Sequence, residues 1–153
     1  MIRKFAAVAV VAGVMLGTAG CNMITHVATA EVYAPSDGAM VDNGAVKARN
    51  FLMLTDGPKH ILIGSLVNGS KDAVSATIEF ADNGSTKTAQ VNLTGEQAFN
   101  MGYAGTAAQQ VVSDAKAGSL VEVAIVVAGN KTTMSVPVLD GTLPEYKAVL
   151  DAN

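Results

Sequence analysis

The chain has 153 residues, half of them hydrophobic and 5% aromatic, with no tryptophan, a single cysteine and a formal charge of −3. That balance excludes a basic surface for nucleic acid, and a lone thiol excludes both an internal disulfide and a cysteine-built zinc site. The length suits one ordinary domain, whose core must be filled mainly by Val, Ala, Leu and Ile.

Met1-Ile2-Arg3-Lys4 opens the chain with two positive charges, followed by an apolar stretch from Phe5 to Leu16 and then Gly17-Thr18-Ala19-Gly20-Cys21. This is the layout of a secretory signal peptide. The apolar stretch is shorter than the roughly 20 residues a membrane-spanning helix needs. Small residues directly before a cysteine resemble the lipobox of bacterial lipoproteins, with Thr18 standing where leucine is usual. The resemblance implies that Cys21 carries a diacylglyceryl group, palmitate among its acyl chains, and becomes the new N-terminus. Two chains give stable anchoring where one gives only marginal binding. The expected organisation is a lipoprotein signal peptide over 1–20, a tether with the lipidated cysteine over 21–28 and a β domain over 29–153. The expected place is the outer face of the cytoplasmic membrane. Loss of Arg3 and Lys4 takes the formal charge from −3 to −5 and leaves Arg49 as the one arginine.

Beyond the tether the chain reads as strands separated by turns. Strands are predicted at 29–34, 45–54, 60–68, 74–81, 85–93, 119–128 and 132–139. The clearest is "VSATIEFA", in which Val74, Ala76, Ile78 and Phe80 alternate with Ser75, Thr77 and Glu79. This period of two marks a half-buried strand. Asn83-Gly84 then supplies the dipeptide that tolerates positive φ at both central turn positions, so 74–93 reads as a hairpin. In 119–128 the residues Val121, Val123, Ile125 and Val127 are expected on the core side, with Glu122 outward. About seven short antiparallel strands in this length imply an all-β, two-sheet sandwich. Residues 94–118 are too long for a structureless loop, and "AAQQVVSDA" within them suits a helical turn or a short irregular strand. A helix is expected to start near Pro144-Glu145, with Tyr146 and Leu150 one turn apart.

The sequence holds no nucleophile elbow, Walker loop, His-Glu-x-x-His pair or acidic calcium loop. Of its two histidines, His26 lies in the tether, so a catalytic triad would have to use His60. A histidine that starts a strand just after a turn is expected at the solvated surface, which leaves a hydrolase as the remote alternative. Thioether and imidazole suit Cu(I), making Met53, His60 and Met101 the candidate metal donors. Met134 alternates with core valines and Met53 fits a strand face, as expected of methionines that fill gaps in a core. The Asn-x-Ser/Thr triplets at Asn68, Asn83, Asn92 and Asn130 are read as turn chemistry. Phe99, Met101 and Tyr103 alternate at the start of the long loop. Tyr103 and Tyr146 are the residues expected on a partner-facing surface, because tyrosine is enriched at interface centres.

"VYAPSDGAMVDNGAVKARNFLML", "LIGSLVNGSKDAVSATIEF" and "KAGSLVEVAIVVAGNKTTMSVPVLDGTLPEY" resemble the actinobacterial lipoproteins of the LpqE type. Those are distantly similar to the periplasmic PCuAC copper chaperones. The resemblance implies a single antiparallel β-sandwich of immunoglobulin- or cupredoxin-like form. It also implies a non-enzymatic accessory or binding protein held to the membrane through Cys21, with integral membrane respiratory proteins as partners. The chaperones hold copper through separated Met and His ligands that include a His-x-Met motif. In this sequence the motif falls on Phe99-Asn100-Met101, where only Met101 is kept. A copper-binding chaperone is therefore the alternative function, and no cofactor is expected on the first reading.

Overall fold

The computed structural model describes residues 33–103 and 105–153. The signal-like segment, Cys21 and most of the strand predicted at 29–34 lie outside the described residues, and Tyr33 and Ala34 carry no strand. Ala34–Asn153 forms a compact unit of its own.

Local pairing dominates this unit. The strands are β1 (Ala39–Asn43), β2 (Val46–Thr55), β3 (His60–Asn68), β4 (Val74–Asp82), β5 (Ser85–Leu93), β6 (Ala98–Met101), β7 (Gln109–Val111), β8 (Leu120–Val127) and β9 (Asn130–Asp140), followed by helix α1 (Pro144–Ala152). The β4–β5 hairpin turns on Asn83 at φ 50° and Gly84 at φ 76°, the left-handed pair its sequence predicts. β1 has no counterpart in the strand pattern; it pairs with β2 through a two-residue turn, Gly44-Ala45, in which Gly44 at φ 59° supplies the one left-handed position. The segment 94–118 yields β6 and β7, both laid antiparallel along β3. Of the two forms open to "AAQQVVSDA", the short strand is the one adopted.

The architecture is the expected all-β sandwich, with nine strands in place of about seven and with its layers continuous. One layer holds β1, β2, β3, β6 and β7, and the other holds β4, β5 and β8. β9 belongs to both. Residues 130–137 pair antiparallel with β8, and Val138–Asp140 pair parallel with Met53–Thr55 of β2. The sheet is therefore mixed, not purely antiparallel. Two asparagines tie the layers together at their ends. Asn43 Nδ2 donates to the carbonyls of Ile125 and Asn130, each at 2.8 Å. Asn68 is buried; it donates to the carbonyls of Asp72 and Thr94 at 2.7 and 3.1 Å, and its Oδ1 accepts from Ser70 N two residues on, the local bond of a turn asparagine.

Between the layers lies the main core, and β2 enters it in two phases. Val46 and Ala48 face inward, Asn50 at φ 51° forms a bulge, and from there Phe51 and Met53 take the inner face. The bulge flips Leu52 and Leu54 outward. There they meet Ile61, Ile63 and Leu150 in a second apolar cluster beneath α1. β3 is consequently covered on both sides, which explains why its sequence is apolar nearly throughout. Gly64 lies directly against Phe51: a Cβ there would sit 2.6 Å from the ring. Gly64→Ala is expected to lower stability by about 1–3 kcal/mol, the usual range for overpacking, measured by urea denaturation of the folded domain.

Candidate functional site

Three loops meet at the end of the sandwich where β3 begins. They are the β2–β3 turn, the β7–β8 segment 112–118 and the turn after β9. Each is held by short side-chain hydrogen bonds. Thr55 Oγ1 accepts from Gly57 N at 3.0 Å, Ser113 Oγ from Ala115 N at 3.1 Å and Asp140 Oδ1 from Thr142 N at 3.0 Å. Thr142 holds the Asp140 carboxyl below its ordinary range through its side chain and its N–H. The loops enclose a cleft of about 600 Å³, lined by His60, Asp56, Asp114, Lys116, Asp140 and Thr142 among others.

His60 sits at the floor of this cleft and is 3% exposed. The expectation of a solvated histidine is corrected here. β7 pairs on the open side of β3, with His60 opposite Val111, and the 112–118 loop lies over the ring. The Nε2–H donates to the carbonyl of Ala115 at 2.8 Å, the one role a carbonyl partner leaves to that nitrogen. Among the described residues Nδ1 has no hydrogen-bond partner, although it is buried. Among the described residues neither ring nitrogen meets a hydroxyl or a carboxylate, so they assemble no triad around His60.

The three candidate metal donors do not converge. Met53 and His60 share the inner face: Met53 is opposite Leu62 and Thr55 is opposite His60. That makes them diagonal cross-strand neighbours, a spacing of about 7–8 Å that long side chains can bridge. Met101 is opposite Gly64, four residues along β3 from His60. At ~3.3 Å per residue this is roughly 13 Å. Among the described residues no group of three His, Cys, Asp or Glu side chains is placed to hold a metal.

Tyr103 and Tyr146 do come together, on the outer side of the sheet. Both are half-buried and pack against the Leu52, Leu54, Ile61, Ile63 and Leu150 cluster. Burial raises the Tyr103 hydroxyl above its ordinary pKa. Burial raises that of Tyr146 further, with the carboxylate of Asp37, which accepts its hydrogen bond, adding to the shift. α1 is fixed at its C-terminal end, where Lys59 Nζ donates to the carbonyl of Leu150 at 2.7 Å and Ala108 N to Asn153 Oδ1 at 2.7 Å.

Sequence reasoning passed over Asp82, whose carboxylate accepts the Val112 N–H while Asn83 N donates to the Val112 carbonyl at 2.8 Å. These bonds clip the start of the loop over His60 to the β4–β5 hairpin. The signal was the Asp-Asn-Gly order itself, because the turn that closes the hairpin also aims the preceding carboxylate sideways.

No protein-family model matches the chain, and no curated protein is similar to it in sequence. Among solved structures the chain is similar to the copper-bound PCuAC domain from PmoF2, at 12% identity and a TM-score of 0.48, over 67% of this chain and 98% of that domain. At that distance the likeness carries no argument about ligands. The LpqE-type resemblance has no counterpart in these comparisons.

The Val112 N–H, and after it Lys87, holds Asp82 below its ordinary carboxylate pKa of 3.8. A depressed folded pKa contributes stability that is complete above the unfolded value and is lost as pH falls through the folded one. Asp82→Ala is therefore expected to speed amide exchange at Val112 at neutral pH and to remove part of the acid dependence of that exchange. Exchange followed by NMR from neutral to acid pH checks both.

Proposed function

We propose that the protein is an exported, lipid-anchored, non-enzymatic binding protein on the outer face of the cytoplasmic membrane, serving membrane-embedded partners. The observation that carries this reading is the order of residues 1–21: two basic residues, an apolar run, small residues and the single cysteine. The fold is compatible with it, because a domain without disulfides in an oxidising compartment must be stabilised by its core. Here two apolar clusters, one on each side of β3, supply that stability. Tyr103 and Tyr146, adjacent over the outer cluster, are the side chains through which an integral membrane partner such as a respiratory protein would be met.

Cys21→Ser is expected to abolish incorporation of labelled fatty acid and to release the protein from the membrane fraction, because the thioether needs a sulfur nucleophile. Wild-type labelling of the serine variant would overturn the anchor. Affinity purification from membranes in mild detergent should retrieve integral membrane proteins with the wild type and lose them with Cys21→Ser.

A second reading, in which Cu(I) is the cargo, has one observation in its favour: the buried, unpartnered Nδ1 of His60 lies on the same inner face as Met53. Those residues offer an imidazole nitrogen and a thioether, a donor pair of the softness Cu(I) takes. Met101 is too far along β3 to join them. Competition titration with a Cu(I) chelator separates the readings. Tight binding lost in His60→Ala and kept in Met101→Leu would select copper, whereas a weak affinity unmoved by either change is expected if partners are proteins.

A further inference from the structure

The outer surface of the sheet does not end with the cluster under α1. Leu120, at the start of β8, is 68% exposed and lies opposite Pro137 of β9. Two residues further along the same face of β9 is Leu139, which with Leu143, Tyr146 and Ala117 lines a shallow groove of about 180 Å³. Leu143 is itself 47% exposed. Leu120, Pro137, Leu139, Leu143 and Tyr146 thus form one apolar strip across β8, β9 and the start of α1. Exposed leucines scattered singly need no explanation, but a continuous strip does.

The direction from which the chain enters the domain says what covers it. Asp37, ahead of β1, accepts a hydrogen bond from the Tyr146 hydroxyl, so the N-terminal end of the domain is fastened beside α1 at one end of this strip. The segment from Cys21 to Asp37 spans on the order of 50 Å when fully extended. A lipidated cysteine on such a leash keeps the domain at the bilayer at an effective concentration on the order of millimolar. Weak apolar contacts are then enough to orient the domain. Charge is not the driver. Lys116 and Lys147 near the strip are offset by Asp37, Asp140 and Glu145.

We propose that the strip Leu120–Pro137–Leu139–Leu143, with Tyr146, is the face this domain lays on the lipid surface that holds its anchor. The proposal rests on the lipid-anchor reading. Leu143 and Leu120 dip into the headgroup boundary, Tyr146 sits at the interface with its hydroxyl held by Asp37, and the Asn68 end of β3 points away from the bilayer. Tyrosine suits such a position because its ring is apolar and its tip polar.

The full lipidated chain tests it, since acylation of Cys21 leaves an introduced cysteine as the only free thiol. Leu143→Cys, Leu120→Cys and, at the far end of the domain, Lys71→Cys would each be labelled with an environment-sensitive NBD fluorophore. Each would then be placed in vesicles of phosphatidylethanolamine and phosphatidylglycerol containing doxyl-labelled lipid. The expected result is a blue-shifted emission and several-fold stronger quenching at 143 and 120 than at 71. Equal quenching at all three positions in a chain whose N-terminal peptide carries its lipid by mass spectrometry would overturn the orientation and leave the anchor standing. An unmodified N-terminal peptide would overturn the anchor and the proposal with it. A blue shift at 143 without doxyl quenching would identify a protein, a second copy or another chain, as the occupant and would equally overturn the proposal.

Discussion

β9 is the strand on which the rest of the molecule depends. Its first eight residues complete an antiparallel ladder with β8, and its last three cross to β2 in parallel. Pro137 stands at the crossing, where it has no N–H to give. A proline inside a sheet is tolerated where a ladder ends or changes partner. Val138 takes over at once, donating to Ser119 O at 2.9 Å while its side chain joins the core. If β9 stopped at Pro137, no strand ladder would join the β4–β5–β8 group to the β1–β2–β3 group. Because it continues, Met53, Leu54 and Thr55 are locked in register with Val138, Leu139 and Asp140, and the loops on either side are brought to one end.

Everything at the His60 cleft follows from that register. Thr55 is the last residue of β2 paired with β9 and also the partner of His60, so the turn after β2 and the turn after β9 close over the same point. The third wall is the loop after β7, which is tied by Ala115 to the histidine and by Val112 to the β4–β5 hairpin. A buried imidazole with one nitrogen unpartnered is an uncomfortable arrangement, since desolvated polar groups are ordinarily paired. The loop that satisfies Nε2 also closes off Nδ1, so one contact produces both the burial and the imbalance.

Local order was readable and long-range order was not. The hairpin 74–93 was evident because alternation and Asn83-Gly84 specify it within twenty-odd residues, and the edges of β3 and β5 follow the pattern to the residue. β6 escaped and β7 was left open between a helical turn and a short strand, because each is only a few residues long and is stabilised by β3, forty or so positions earlier, instead of by its own sequence. The pairing of β7 is what misplaced His60: a short strand in 107–115 does not show in its sequence that it lies against the start of β3, which then looks like an exposed edge. The parallel contact of β9 with β2 leaves no mark in either sequence, because inward valines suit a parallel and an antiparallel neighbour alike. Of the candidate donors, the shared face of Met53 and His60 follows from pairing, and the remoteness of Met101 follows from a strand the pattern does not reveal. The packing of Tyr103 and Tyr146 on the Leu52 and Ile63 cluster depends on the bulge at Asn50, which shifts β2 by one residue and turns its leucines outward, and no local pattern announces that bulge.

Of the three Asn-Gly dipeptides in the chain, those at Asn43 and Asn83 age differently. Such dipeptides are where asparagine is most readily converted to aspartate, since glycine leaves the backbone nitrogen free to attack the side-chain carbonyl. At exposed Asn83 the new carboxylate would face water. At Asn43, 7% exposed, the lost amide is the donor to Ile125 and Asn130, and a carboxylate there would confront two carbonyl oxygens with no counter-charge. The seam between the β1–β2 and β8–β9 hairpins would then lose a tie and gain a repulsion. One spontaneous chemical event at Asn43 therefore sets a shelf life for the closed sandwich that no comparable event at Asn83 would.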